Sequence, residues 1–374
     1  MKRFLVILLV LMAAGLAAVK FRYGGGEPYP DVSTVPAVFN INAVELEFPP
    51  GCVTVTPGGR VFFDTHPFAA PGRFKAPHVF ELVDGEPVPW PSEDEQWLFT
   101  APFGITAGGH GRLWMIEPAT LERSATRILG FEVETGELIF DHALPDGEAR
   151  FAQDLRVSPD GRQLVLADTG AFALTPGQLV VFDIGMKAIV RTFQHDSLNP
   201  QNWYIRRYDG QPHRVAWGLL TFQVGVDGLA FSPDGAWLYY GTMSHDTLYR
   251  IPTETLLDPG TSDRELAAAI EPVGQKPQSD GIATTPDGRI LLADVENGGI
   301  AEMTPRGALR TLSSSPDVVW ADSVEIGPDG RVWFTDSAIP AYLQPTLLPP
   351  AREVLAAAAP YRLYHFALPE AATP

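Results

Sequence analysis

Apolar and polar positions alternate with a short period along most of the chain, and one kind of turn interrupts the alternation again and again. The clearest case is residues 279–294. An apolar strand (Gly281-Ile282-Ala283-Thr284) runs into Pro286-Asp287-Gly288, and a second apolar strand (Ile290-Leu291-Leu292-Ala293) ends on Asp294. Proline presets φ at the first central position, Asp accepts from its own backbone, and Gly takes the positive φ that other residues resist. The pattern recurs around Pro233-Asp234-Gly235, Pro328-Asp329-Gly330 and Pro159-Asp160-Gly161. Weaker copies surround Pro57-Gly58-Gly59 and Gly109-His110-Gly111.

Six hairpins at intervals of roughly 40–50 residues, with more strand-like sequence between them, predict an all-β, six-bladed β-propeller. A solenoid of hairpins is the competing arrangement. One blade cannot bury both faces of its sheet, so the units must stack. The inner strands are expected to start near Cys52, Gly104, Asp154, Asp227, Asp280 and Asp322. Ring closure needs the ends to meet, because an open sheet edge is a liability. Val44-Glu45-Leu46-Glu47-Phe48 and Tyr361-Arg362-Leu363-Tyr364-His365-Phe366-Ala367-Leu368 both alternate as strands and are expected to complete one blade together. Only residues 264–270 and 350–359 read as helix within this body.

The first 19 residues follow a different pattern. Met1-Lys2-Arg3 and an apolar run from Phe4 to Val19, with small residues crowding its end, read as an export signal. Lys20 and Arg22 follow at once, which leaves an uncleaved anchor open. Either sends the rest across a membrane, so a secreted or periplasmic location is expected, with the membrane met only through this segment. Residues 20–36, rich in Gly and Pro, read as a tether without a core of their own. The propeller occupies 37–374.

Composition supports this division: 35 Gly and 35 Pro are too many for a helical protein of this length. The lone Cys52 excludes an internal disulfide and reads as a structural cysteine. A net charge of −18 argues against nucleic acid as a partner and suits cations, metallic or organic. A small molecule is the expected partner, and the protein is expected to be a monomer.

Candidate chemistry follows from the hairpin geometry. The position six before the turn proline is Asp227, Asp280 and Asp322 in the last three repeats, Gln153 in the third, and Gly51 and Phe103 in the first two. The return strands end on Asp64, Glu117, Asp168, Asp294 and Asp336. Asp at a strand end commonly caps the turn that follows, so metal binding is assigned to the axial trio Asp227, Asp280 and Asp322. A hard divalent cation, calcium, would relieve their mutual repulsion; backbone bonding of the Asp-Gly pairs is the competing role. Between the third and fourth repeats, residues 194–221 form a long excursion carrying Trp203, Tyr204, Arg206, Arg207, Tyr208, His213, Arg214 and Trp217. It reads either as a wall of a binding site or as an outer strand with its own packing. His245 follows a return strand and could face the same mouth.

Three segments carry a family resemblance: residues 238–253 (LYYGTMSHDTLYRIPT), 319–326 (VWADSVEI) and 62–67 (FFDTHP). They resemble the yellow/major royal jelly family in its bacterial branch. The resemblance implies an exported six-bladed propeller, dopachrome conversion in some members and amine binding in the axial channel in others. The insect proteins' paired cysteines are missing here. More distantly the chain is similar to gluconolactonase/regucalcin propellers, in which an Asn or Asp before Gly on an inner strand binds a divalent metal. Asp227 and Asp280 match those positions, whereas Gly51 stands where a metal-ligand Glu is expected.

Two functions follow. One is a metal-assisted tautomerase or lactonase, with the metal on Asp227, Asp280 and Asp322 as Lewis acid and Asp280 as base. The other is a non-enzymatic binder of a small aromatic or cationic ligand, with Trp203, Trp217, His245 or Trp320 meeting the ligand.

Overall fold

The computed structural model describes residues 2–38, 41–69, 71–120, 123–206, 210–343 and 352–371. Six four-stranded antiparallel sheets stand around one axis. Five are built from consecutive strands. The first blade is Pro50–Val55, Val61–Thr65, Val79–Val83 and Glu86–Pro89; the second begins with Gly104–Gly108, the third with Ala152–Val157, the fourth with Val226–Phe231 and the fifth with Ser279–Thr284. Each inner strand contacts the next around the ring, and the sixth inner strand, Ala321–Ile326, returns to the first.

The sixth blade closes the ring as the strand pattern predicts. Its order is Ala321–Ile326, Arg331–Asp336, Tyr361–Ala367 and then Asn42–Leu46, with Asn42 opposite His365 and Leu46 opposite Tyr361. An N-terminal strand thereby covers what would be an exposed edge.

The hairpin turns have the chemistry read from their sequence. In the fourth blade Gly235 has φ +71° and donates its N–H to the Ser232 carbonyl, while Asp234 accepts from Ser232 Oγ at 2.6 Å and from Ala236 N at 3.1 Å. Buried apolar clusters lie between neighbouring blades rather than around one centre. Leu229, Leu238 and Tyr240 of the fourth blade, for instance, pack on Val165, Leu179 and Val181 of the third. Stacking of this kind makes each blade depend on its neighbours.

Among the described residues the helices that follow the N-terminal one are short. Asp263–Ala268 starts at a capping box in which Ser262 and Glu265 satisfy each other's backbone N–H. Arg352–Ala358 matches the second expected helix; its expected start, at Pro350, lies outside the described residues.

The segment after the N-terminal helix is not a free tether. Glu27–Pro28 pairs in parallel with Trp203–Tyr204. Tyr29 is buried, donates to the Lys276 carbonyl at 2.7 Å and packs edge-on against Trp203. Val38 N bonds the Leu312 carbonyl. One aromatic side chain among the prolines gives this stretch a place to dock, which the Gly/Pro composition conceals. The helix itself, Lys2–Tyr23, is exposed from Arg3 to Arg22 and long and apolar enough to cross a membrane.

Candidate functional site

Near the start of five inner strands the register slips: one return-strand residue faces two residues of the inner strand in the first, fourth, fifth and sixth blades, and the third slips at Gln153. Such bulges re-aim side chains, here toward the axis. The glycine after each of Asp227 and Asp280 has a separate cause. A Cβ at Gly228 would lie 2.6 Å from the Asp280 carbonyl oxygen, and one at Gly281 would lie 2.8 Å from that of Asp322. Asp-Gly is thus the pair that turns a carboxylate inward while letting neighbouring inner strands approach. Gly281→Ala should therefore cost roughly 1–3 kcal/mol in urea unfolding, whereas Gly58→Ala, whose new Cβ would come no closer than 3.8 Å to its neighbour Thr56 Oγ1, should cost much less. Equal losses would contradict this account.

The inward side chains meet at the base of a cavity of about 220 Å³. Asp154, Asp227, Asp280 and Asp322 form its acidic base, together with His66 and Arg156. Phe68, Phe103, Phe151, Phe172, Phe222, Met243 and Ile339 provide apolar walls. Arg156 also lines the recess at the opposite end of the axis, beside Glu325, so its guanidinium stands across the channel.

The four aspartates differ in their bonding. Asp154 is satisfied: it accepts from Arg156 Nη1 at 2.6 Å, from Leu155 N at 2.7 Å, and through its other oxygen from Leu229 N at 2.9 Å. Asp280 Oδ2 accepts from Trp320 Nε1 at 2.8 Å. Asp227 lies within hydrogen-bonding reach of Asp280, yet its Oδ2 is buried without a partner. Asp322 Oδ2 faces His66 Nε2 at 3.7 Å. His66 accepts the Phe68 N–H through Nδ1 at 3.2 Å, so in the neutral ring the proton sits on Nε2, toward Asp322.

Burial dominates the electrostatics. It pushes Asp227 well above the ordinary carboxylate range, with Asp154 and Asp322 adding to the effect; Asp280 is raised in the same way, with Asp322 and Asp227 adding. Asp322 rises to about 7, chiefly by burial. His66 is depressed to about 3 by burial and is neutral at physiological pH. Burial thus favours the protonated form of the crowded carboxyls, and Arg156 places a positive charge beside Asp154.

A resident divalent ion does not fit this arrangement. Among the described residues no three His, Cys, Asp or Glu side chains are disposed to hold a metal ion. Asp227 and Asp280 reach for each other, Trp320 occupies one Asp280 oxygen, and Asp322 is turned to His66. Calcium takes six to eight oxygens. The trio expected to bind metal does converge on one cavity, but not as a coordination shell.

All five return-strand acids are committed to backbone amides. Asp64 accepts from Cys52 N, Glu117 from Thr100 N and Ala101 N, Asp168 from Gly170 N, Asp294 from Glu296 N and Asn297 N, and Asp336 from Val319 N, Trp320 N and Ala338 N. The side chains expected to meet a ligand are placed away from the cavity lining. Trp320 is fully buried behind Asp280, Trp203 donates to Gln201 and packs on Tyr29, and Trp217 is exposed. His245 Nδ1 accepts from Thr247 N. The 194–221 excursion backs the wall instead: His213 stacks on Phe222 at 4.7 Å, and Phe222 meets Trp320 edge-on. Arg207 and Tyr208 lie outside the described residues.

Asp154, Arg156, His66 and the phenylalanine walls were not expected from sequence. Asp154 sits one residue past the aligned position because the third inner strand slips at Gln153. His66 lies inside the FFDTHP segment, which offered a signal. The phenylalanines come mostly from loops with no period to betray them.

The sequence profile of the family described as "Major royal jelly protein" matches residues 100–347. No curated protein matches the chain. Among solved structures, a gluconolactonase from Xanthomonas campestris is similar, with 12% identity and a TM-score of 0.56 over 92% of this chain and 98% of that one. A calcium-binding protein, regucalcin, from Agrobacterium tumefaciens has 15% identity and a TM-score of 0.53 over 90% and 96%. A luciferin-regenerating enzyme has 13% identity and a TM-score of 0.54 over 88% and 95%. At these identities the likeness establishes the fold.

Proposed function

Since the chain belongs to the major royal jelly protein family, whose propellers we expect to act through the axial channel, we propose that it takes up a small molecule with an aromatic or apolar body and a cationic head. The observation that carries this reading is the Asp227 carboxyl at the base of a phenylalanine-walled cavity: its buried Oδ2 meets no N–H or hydroxyl donor, and its hydrogen-bonding neighbour is another acid, Asp280. A buried acceptor without a donor is costly. An ammonium group supplies both the donor and the countercharge, and the walls take the ring. Export, through the N-terminal helix as signal or anchor, belongs to the same reading.

Calorimetry with 2-phenylethylamine and its neutral counterpart 2-phenylethanol tests it. The amine is expected to bind at least tenfold more tightly at pH 8, and Asp227→Asn to abolish that preference. Equal affinity for amine and alcohol would sink the proposal.

A catalytic reading, as a tautomerase or lactone hydrolase, has one observation in its favour. Asp322, at about 7, exchanges its proton near neutral pH and faces a neutral His66, and a general base works best near the operating pH. The base role passes from Asp280 to Asp322 in this reading, because burial raises Asp280 well above the ordinary carboxylate range and its Oδ2 already accepts from Trp320 Nε1. Turnover of dopachrome or a lactone that disappears in Asp322→Asn but survives in Asp160→Asn would support it.

A further inference from the structure

The N-terminal helix is joined to the propeller without slack. Its 21 residues, Arg3–Tyr23, span ~31 Å at ~1.5 Å per residue; the uncharged run from Phe4 to Val19 covers ~24 Å of this, so the ~30 Å hydrocarbon core of a bilayer is crossed with Arg3, Lys20 and Arg22 reaching out to the two interfaces. Gly24 then docks at once. Its N–H closes the last helical turn on Lys20, its carbonyl accepts from Arg214 Nη1, and a Cβ there would lie 2.7 Å from the Leu219 carbonyl oxygen. The Gly25 carbonyl accepts from Thr221 Oγ1 at 2.8 Å, and Glu27 N bonds Asn202.

The docking point adjoins the mouth of the axial cavity. Residues 169–172 line the cavity, and the next four, Ala173, Leu174, Thr175 and Pro176, border a surface recess with Arg22 and Tyr23. Phe172 and Phe222 join the two sides at 5.5 Å. Around this end Phe68, Leu174 and Trp217 are exposed, and Trp217, like Phe172 and Ala173, takes a positive φ. Non-glycine residues in that conformation are strained, so the backbone spends energy on a rim that leaves Leu174 and Trp217 apolar and uncovered.

We propose that the helix remains in the bilayer as an anchor and that its direct docking holds the cavity mouth against the membrane surface. The cavity then loads from the lipid interface, and its ligand is an amphiphile that partitions there. Lys20 and Arg22 stand at the exit of the helix, where lipid phosphates lie. The choice of ligand rests on the proposed function above; the orientation of the mouth does not.

The test uses the full chain in phosphatidylcholine vesicles containing doxyl-labelled lipid. With Cys52→Ala as background, a fluorophore is placed by Leu174→Cys at the rim or by Arg162→Cys in a hairpin turn at the far end of the axis. Doxyl lipid is expected to quench the rim label at least threefold more than the far label. A twenty-residue Gly-Ser insertion between Tyr23 and Gly24 is expected to keep the protein on vesicles while levelling the two signals. Equal quenching in the parent, or preferential quenching that survives the insertion, would overturn the proposal. So would recovery of mature protein lacking the helix from the membranes of an expressing cell. None of these readouts depends on whether 2-phenylethylamine binds.

Discussion

At pH 8 the Asp322→Asn variant is expected to be more stable than its parent, and at pH 4 the two should unfold together. Burial raises the Asp322 carboxyl from its ordinary 3.8 to about 7 in the folded protein. Below pH 4 the acid is protonated in both folded and unfolded chains, and its linkage costs nothing. Between pH 4 and 7 the folded chain holds a proton that the unfolded chain has released, so stability falls as pH rises. Three units at about 1.4 kcal/mol each put the loss at up to about 4 kcal/mol. An amide of the same shape carries no such penalty. Urea unfolding at both pH values measures the difference, and a gain of the same size at pH 4 would show that it arises from something other than ionisation. A cationic ligand should work in the opposite sense, restoring stability to the parent at pH 8.

Trp320→Ala is expected to destabilise the protein by about 3–5 kcal/mol. The indole is fully buried, meets His213 and Phe222 edge-on, and gives its only N–H to Asp280. Truncation opens a cavity between the excursion and the sixth blade and strips Asp280 of its donor. Trp320→Phe separates the two contributions: it keeps most of the ring and loses only the hydrogen bond, for which about 1–3 kcal/mol is expected. Urea midpoints at constant m-value decide the matter. A loss below 1 kcal/mol for the alanine variant would mean that the wall does not depend on this residue.

The propeller was legible because each blade repeats one local device, the Pro-Asp-Gly hairpin, and the strand periodicity at both ends of the propeller pointed to the closing blade. The convergence of Asp227, Asp280 and Asp322 was legible for the same reason, since equal offsets from equal turns bring residues to equal depth. Legibility failed wherever geometry departed from the repeat. The slip at Gln153 hid Asp154 by one position. Asp154 in turn occupies Arg156, a cation that no alignment of the hairpins brings to the axis. The indoles of Trp203, Trp217 and Trp320 looked like ligand contacts because aromatic residues are conspicuous in an acidic chain. The walls are instead phenylalanines from strand ends and loops, whose positions depend on backbone turns that leave no periodic trace. Tyr29 likewise converts an apparent tether into a docked strap through one buried ring.

Pairing of Asn42–Leu46 with Tyr361–Ala367 also orders events in time. The two strands are separated by roughly 320 residues, and closing so long a loop costs only about 4 kcal/mol more than closing a five-residue hairpin, so equilibrium hardly registers the distance. Kinetics does. Synthesis from the N-terminus delivers one half of this seam first and the other last. Until the final strand arrives, five blades can form while the sixth waits with a bare edge. The last step of folding is therefore the joining of the oldest and youngest parts of the polypeptide, and any truncation near residue 361 leaves a ring that has everything except its clasp.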